Sequence, residues 1–372
     1  MCITAMTAGF AGCGGATGDD TDGDAVDDVV VEDGAEGLEI VEDPDVSEDV
    51  ETDDDSAVDP VLDEPEEEIV EIPGDPGEPG PFTWSEDVEE GVEVEEGMFP
   101  ATVDLTIFIP DGDGPFPVVV FTHGFMLGPG DYMSYGRHLA SWGTIAVLPQ
   151  MPGGLMPPNH RELKEYLEKI IDWIEENAAN PEGPLLGKAD TARLGLSGHS
   201  MGGKISLLVC TEDTRPRASF TVDPVDAAGS PIVINPDDYP SVTPELMDQI
   251  IVPLGLLGET VNGTSSGQAC APEEDNFHQY YLHAVSPALE IEILGANHMS
   301  FLDNPDCGLV CNACPKGTDD PAITKRLTQK YMVAFYNVFL YDLPEYMAYL
   351  TGSPMAADNA AGLVLYDSKN GF

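Results

Sequence analysis

Gly198-His199-Ser200-Met201-Gly202 decides how this chain is read. A serine set between two glycines, with one residue on each side, is the pattern of a nucleophile elbow, a tight turn from strand to helix. The flanks agree. Ala192-Arg193-Leu194-Gly195-Leu196-Ser197 has the content of a short buried strand, and Gly203-Lys204-Ile205-Ser206-Leu207-Leu208-Val209 opens as a helix. On such a turn the hydroxyl projects from the carboxyl edge of a sheet, and the glycines leave room for helix and strand to approach closely.

A nucleophilic serine needs oxyanion donors, a base and an acid that orients the base. Pro117-Val118-Val119-Val120-Phe121-Thr122 reads as a buried strand and ends in His123-Gly124-Phe125. An H-G-x turn there supplies one backbone N–H to an oxyanion, and the residue after the nucleophile supplies the other. The donors are therefore expected to be the amides of Phe125 and Met201. Ala218-Ser219-Phe220-Thr221-Val222 is the next strand and delivers Asp223 at its end. Two rivals for the acid remain: Glu259, in the loop expected after a strand at Ile250–Gly258, and Asp226. Asn262 holds the place where many chains of this kind carry the acid. Leu289-Glu290-Ile291-Glu292-Ile293-Leu294 alternates like a strand and leads to His298, the expected base. Of the other histidines, His123 is expected to brace the oxyanion turn and His199 is the variable position of the elbow. His138, His160, His278 and His283 lie on or beside helix-like stretches. The order serine, aspartate, histidine is that of the α/β-hydrolase arrangement. Rate should rise with pH as His298 loses its proton. The chemistry requires neither metal nor organic cofactor.

The rest of the chain supports an α/β class with a mostly parallel central sheet covered by helices on both faces. Leu163, Tyr166, Leu167, Ile170, Ile171 and Ile174 recur at helical spacing, with Asn159 and Glu162 as a capping box. A late helix is expected from Asp320-Pro321, its core positions being Leu327, Phe335, Val338 and Phe339. One catalytic domain over residues 86–372 is long enough for a full core.

Several spaced motifs resemble one family. Phe121-Thr122-His123-Gly124-Phe125, the stretch from His138 to Gln150, the elbow, Val222-Asp223-Pro224-Val225-Asp226, Cys270-Ala271-Pro272-Glu273 and His298-Met299-Ser300-Phe301-Leu302-Asp303 are similar to the chlorophyllase branch of the α/β-hydrolases. The resemblance runs over roughly residues 101–345. It implies ester hydrolysis with Ser200, Asp223 and His298 as the triad. Met201 departs from it, standing where plant chlorophyllases usually carry arginine. Gly198-His199-Ser200-Met201-Gly202-Gly203 is instead similar to the elbow of bacterial cutinases and polyester hydrolases.

The amino-terminal part has another character. No Lys or Arg precedes Arg137, and 35 of the 69 acidic residues lie in the first 100 positions. Residues 14–85 read as an extended acidic stalk whose like charges repel and whose apolar content cannot offset the entropy of ordering. A competing reading makes Asp20-Thr21-Asp22-Gly23-Asp24-Ala25-Val26-Asp27 a calcium loop, although a single copy without a terminal glutamate is a weak match. Within residues 1–13, Phe10-Ala11-Gly12-Cys13 resembles a lipobox, so lipidation of Cys13 and a membrane tether are expected, despite a preceding segment without basic residues. A net charge of −55 argues against nucleic acid as a partner. No stretch is long and apolar enough for a transmembrane helix.

Cys270, Cys307, Cys311 and Cys314 cluster in loops near His298 and permit two disulfides in three pairings. The competing reading of Cys307-x3-Cys311-x2-Cys314 is a zinc or iron–sulfur site. Cys210 is expected to be buried and free. Disulfides imply an extracytoplasmic protein, secreted or held at a bacterial surface, with a monomeric catalytic domain. Met126 and Met299 flank the expected chemistry, so an apolar or aromatic ester is the expected substrate, polyesters included, and residues 226–248 are expected to form at most a small cap. An acyltransferase with the same triad, or a non-catalytic surface module, are the other classes open to this sequence.

Overall fold

The computed structural model describes residues 74–95, 100–153, 157–227, 235–262 and 270–372, all within one compact unit that spans 67–372. Cys13, the acidic segment 14–73 and Asp20–Asp27 lie outside the described residues. Chain order is β1 (Trp84–Glu95), β2 (Ala101–Pro110), β3 (Phe116–Thr122), α1 (Met133–Ser141), β4 (Ile145–Pro149), α2 (His160–Ala179), β5 (Ala189–His199) and α3 (Met201–Cys210). There follow β6 (Pro216–Val222), β7 (Leu254–Val261), α4 (Phe277–His283), β8 (Ala288–Asn297), α5 (Pro321–Phe339), α6 (Ala348–Thr351), α7 (Ser353–Ala360) and β9 (Val364–Lys369). The strands form one nine-stranded sheet in the order β1-β2-β4-β3-β5-β6-β7-β8-β9. From β4 to β8 the pairing is parallel; β1, β2 and β9 join antiparallel at the edges.

Alternation along β3 shows how the sheet is covered on both faces. Val118 and Val120 pack in one layer with Leu163, Leu167 and Ile170 of α2. Val119 and Phe121 point the other way, into a layer with Leu327, Tyr331 and Phe335 of α5. Every strand side chain at the centre is buried, which is why β3 reads as a continuous apolar run rather than as an alternating one. All six apolar positions expected on α2 are buried. Half of the expected box is built: the Asn159 side chain accepts from the amides of Arg161 and Glu162, whereas Glu162 accepts from the Asn159 side-chain Nδ2. On α5, Leu327 and Phe335 are buried, while Val338 and Phe339 pack half-buried against the same layer.

Three features differ from expectation. Residues 74–85 do not belong to an extended stalk: they dock on the sheet's helical cover. Asp75 and Glu78 pair with Arg326 of α5, His138 Nε2 donates to the carbonyl of Pro76, and Gly80 N donates to Ser141 Oγ. Phe82 adds an edge contact to Phe116 at 5.7 Å. These hydrogen-bonding and ion-pair partners come from positions 61 to 251 residues away in sequence, so the local composition of this proline- and glycine-rich stretch could not reveal them. Second, β7 starts after Pro253 and continues to Val261, which places Glu259 inside a central strand and not in a loop. Third, the edge strands β1 and β9 carry no strong strand signal, because each borders solvent on one side, whereas β2 is paired on both sides and buried over its second half. The exposed acids of β1 suit a sheet edge, where charge discourages pairing with another chain.

Candidate functional site

Ser200 stands on the turn between β5 and α3 with φ 57° and ψ −123°, a backbone conformation costly for any residue with a side chain. The turn is held on both sides: Ser200 N donates to the Val222 carbonyl at 3.1 Å, and Lys204 N donates to the Ser200 carbonyl at 3.1 Å. Only glycine fits at the flanks. A Cβ at Gly202 would lie 2.0 Å from the carbonyl oxygen of Thr122, and one at Gly198 would lie 2.5 Å from the carbonyl carbon of Gly202. The spacing of the motif is therefore a record of how closely α3 is pressed against β3 and β5.

The three expected side chains meet. His298 Nε2 is 2.9 Å from Ser200 Oγ, and His298 Nδ1 is 2.5 Å from Asp223 Oδ2. The first bond carries the serine proton to Nε2, so Nδ1 bears the ring proton and donates to the carboxylate. Asp223 follows β6 at φ 47°, and its amide donates to the Leu257 carbonyl. The carboxyl is fully buried. Burial works to raise it, but interaction with the Glu259 carboxyl beside it and with the His298 imidazole outweighs that and holds it below the usual carboxylate range.

A buried network joins the oxyanion turn to the histidine loop. Leu127 N donates to the Gly124 carbonyl, which closes a turn with Phe125 and Met126 at its centre; Met126 takes φ 61°. His123 Nε2 accepts from Met151 N at 3.0 Å, so its Nδ1–H donates to the Gly124 carbonyl. Burial lowers its pKa and keeps it neutral. Met201 is the first residue of α3, where an amide has no acceptor within its own helix. His199, which the motif leaves variable, is fully buried: Tyr132 Oη donates to its Nδ1 at 2.7 Å and its Nε2 donates to the His298 carbonyl at 2.9 Å. Burial and the neighbouring His298 push its pKa down to about 3, so it holds the His298 backbone as a neutral donor. Nothing in the spacing of the motif signals this role. His199, Asp223 and His298 also bring ligand-type atoms within 4.8 Å of one another, but both ring nitrogens of His199 are already engaged.

The rival acids are separated by their partners. The carboxylate of Asp226 lies 3.1 Å from the Lys204 ammonium and accepts from Ser241, Val242 and Thr243. It is a latch between α3 and the segment after β6, with every lone pair in use. Glu259 is fully buried beside Asp223. Met126 is the exposed member of the expected pocket, whereas the Met299 side chain is buried in the layer that holds Phe301 and Leu302. The cysteines are oxidised: Cys270 pairs with Cys314 and Cys307 with Cys311, which replaces the metal-cluster reading of Cys307, Cys311 and Cys314. Cys210 is buried and free.

A parallel-centred sheet with a serine at the β5–α3 turn and a histidine after β8 defines a hydrolase of the α/β-hydrolase kind. The model of the chlorophyllase family matches residues 79–360, and the chain belongs to that family. Among curated relatives, it is similar to chlorophyllase-2 of Arabidopsis thaliana, 26% identical over 214 residues that make up 55% of this chain and 66% of the relative. It is likewise 25% identical to chlorophyllase type 0 of Chenopodium album over 310 residues, 76% of this chain and 83% of the relative. With the chloroplastic chlorophyllase-1 of Citrus sinensis the identity is 26% over 251 residues, 65% of this chain and 74% of the relative.

Proposed function

We propose that this protein is a serine carboxylester hydrolase in which Ser200 is the nucleophile, His298 the general base and Asp223 the acid that orients it. The observation that carries the reading is the unbroken row from Ser200 Oγ through both nitrogens of His298 to Asp223 Oδ2, at 2.9 and 2.5 Å. In the proposed cycle His298 Nε2 takes the hydroxyl proton as Ser200 attacks the ester carbonyl. The amides of Phe125 and Met201 receive the oxyanion, each contributing about 3–4 kcal/mol to the transition state. The imidazolium, balanced by Asp223, then protonates the leaving alkoxide, and water repeats the sequence on the acyl-enzyme. The exposed Met126 at the rim favours an apolar or aromatic ester, and polyester chains fall in that class. Chlorophyll enters as a test substrate through the names of the relatives, against the departure at Met201.

Two disulfides suit an oxidising compartment. Together with Cys13 they support a secreted or lipid-tethered bacterial surface protein with a monomeric catalytic domain. The deciding measurement is hydrolysis of p-nitrophenyl esters of increasing chain length, with chlorophyll and a polyester film in parallel, by wild type and Ser200→Ala. Turnover should fall at least ~10³-fold in the variant. Equal rates would remove Ser200 from the chemistry, and transfer to an added alcohol in excess of hydrolysis would make the enzyme an acyltransferase.

A further inference from the structure

The site holds a carboxyl that the proposed cycle does not use. Glu259 lies in β7 two residues beyond Leu257, whose carbonyl accepts the Asp223 amide, and the carboxyl of Asp223, which leaves the line of β6 at φ 47°, lies beside that of Glu259. Both residues are fully buried. Asp223 spends Oδ2 on His298. Its Oδ1, and both oxygens of Glu259, receive no donor from any other described residue. Three buried oxygens without a donor are a costly arrangement if both groups are ionised, because two like charges in contact and away from water repel strongly. One proton between them resolves it.

We propose that Glu259 is a positioning residue: held as the neutral acid, it donates its proton to Oδ1 of Asp223 and so aims Oδ2 at His298. The inference rests on the assignment of Ser200, His298 and Asp223 given above. Electrostatics run the same way. Burial, followed by the Asp223 charge, pushes the Glu259 carboxyl well above the usual range, while Asp223 is held below it. The other groups facing the pair are His298 and His199 on one side and Glu292 on the neighbouring strand, whose charge further disfavours ionisation of Glu259. The proton on Glu259 is not transferred during turnover. It withdraws basicity from Asp223, so the proton taken from Ser200 stays on the imidazole instead of passing to the carboxylate, and the pair carries a single negative charge throughout.

The test compares Glu259→Gln, which keeps a donor, with Glu259→Met, which keeps the size and loses it. Glu259→Met should lower kcat about 10–100-fold at nearly constant KM, as loss of an orienting partner does elsewhere; Glu259→Gln should recover most of that loss. Asp223→Asn should cost on the order of 10⁴-fold. Glu259→Gln as impaired as Glu259→Met would overturn the proposal, and so would an active Asp223→Asn beside an inactive Glu259→Gln, which would make Glu259 the orienting acid. Infrared spectroscopy of the folded protein at neutral pH gives a reading independent of turnover and of whether Glu259→Met folds. The C=O stretch of a protonated carboxyl should be present in wild type and Ser200→Ala and absent from Glu259→Gln; its absence from wild type refutes a neutral Glu259. Should Ser200→Ala stay active while the band behaves as expected, the esterase reading fails and the shared proton survives.

Discussion

At the scale of single residues, the elbow converts packing into chemistry. Ser200 keeps an unfavourable backbone conformation because Gly198 and Gly202, two residues away on either side, let the turn press against the backbone of Thr122, and its hydroxyl meets His298. This predicts a contrast between two glycine substitutions. Gly202→Ala would place a methyl 2.0 Å from the Thr122 carbonyl, backbone that cannot move without shifting β3, whereas nothing lies within 4 Å of a Cβ at Gly153. Urea unfolding should show Gly202→Ala destabilised by about 3 kcal/mol or more and Gly153→Ala within about 0.5 kcal/mol of wild type; equal effects would mean that the elbow is not tightly packed. The residues that make this turn were legible because sterics demand glycine at fixed offsets. Ser200 and His298 follow from spacing alone. The sequence favours Asp223 but leaves Glu259 a rival for a physical reason: they come from adjacent parallel strands and end side by side, so each occupies an acid's position. The role of His199 was hidden because its partners, Tyr132 and the His298 carbonyl, are 67 and 99 residues away.

Among the elements, the two disulfides do unequal work. Cys270–Cys314 ties the loop after β7 to the loop after β8 and closes 44 residues of chain, while Cys307–Cys311 closes four. Loop-closure entropy alone assigns about 4 kcal/mol to the first and about 2 kcal/mol to the second. Replacing both cysteines of the long bridge by serine should therefore lower unfolding free energy by roughly 2 kcal/mol more than the same change in the short one. A matched loss in the two variants would show that the long loop is already fixed by other contacts, such as Asn297 Nδ2 to the Pro315 carbonyl and Ser300 to Asp319. Elements at the centre were readable from sequence: β3, β5 and β6 are largely buried runs, β8 alternates apolar residues with glutamates, and the stripe of α2 stands where periodicity puts it. Edge elements were not. β1 and β9 are half-solvated, and residues 74–82 are held by ion pairs and backbone bonds to α1 and α5 that leave no local pattern. The boundary of β7 was missed because Ile250 and Ile251 extend an apolar run backwards, although Pro253 delays the strand to Leu254.

For the molecule as a whole, buried titrating groups set the pH at which the fold is strongest. Burial pushes His160 and His199 down to about 3, and lowers His123 and His138 as well. An unfolded chain binds a proton at each of these histidines below about 6.5, whereas the folded one does not until near 3 for His160 and His199. Stability therefore falls as pH drops from 6.5, by about 2 kcal/mol at pH 5 for each of those two. Glu259 acts in the opposite sense: its raised pKa gives stability that is complete below the ordinary glutamate value and is lost as pH rises toward the folded value. His278, pushed up to about 10 by Glu290 and Glu292, likewise weakens the fold as pH climbs from 6.5. Four histidines outnumber the two acids held above their usual range, Glu259 and the partly buried Asp275, between pH 5 and 6.5, while most of the carboxylates behind the net charge of −55 titrate below this interval. The expected profile of unfolding free energy in urea is a maximum near neutrality with a fall toward pH 5. Two variants bend that fall in opposite directions. His160→Gln should lose about 2 kcal/mol less than wild type between pH 6.5 and 5, and Glu259→Gln, deprived of the group that gains as pH drops, should lose more. A wild-type profile flat over this interval, or the same slope in all three proteins, would mean that these histidines are protonated in the folded state and that the buried network around Ser200 is wetter than its geometry implies.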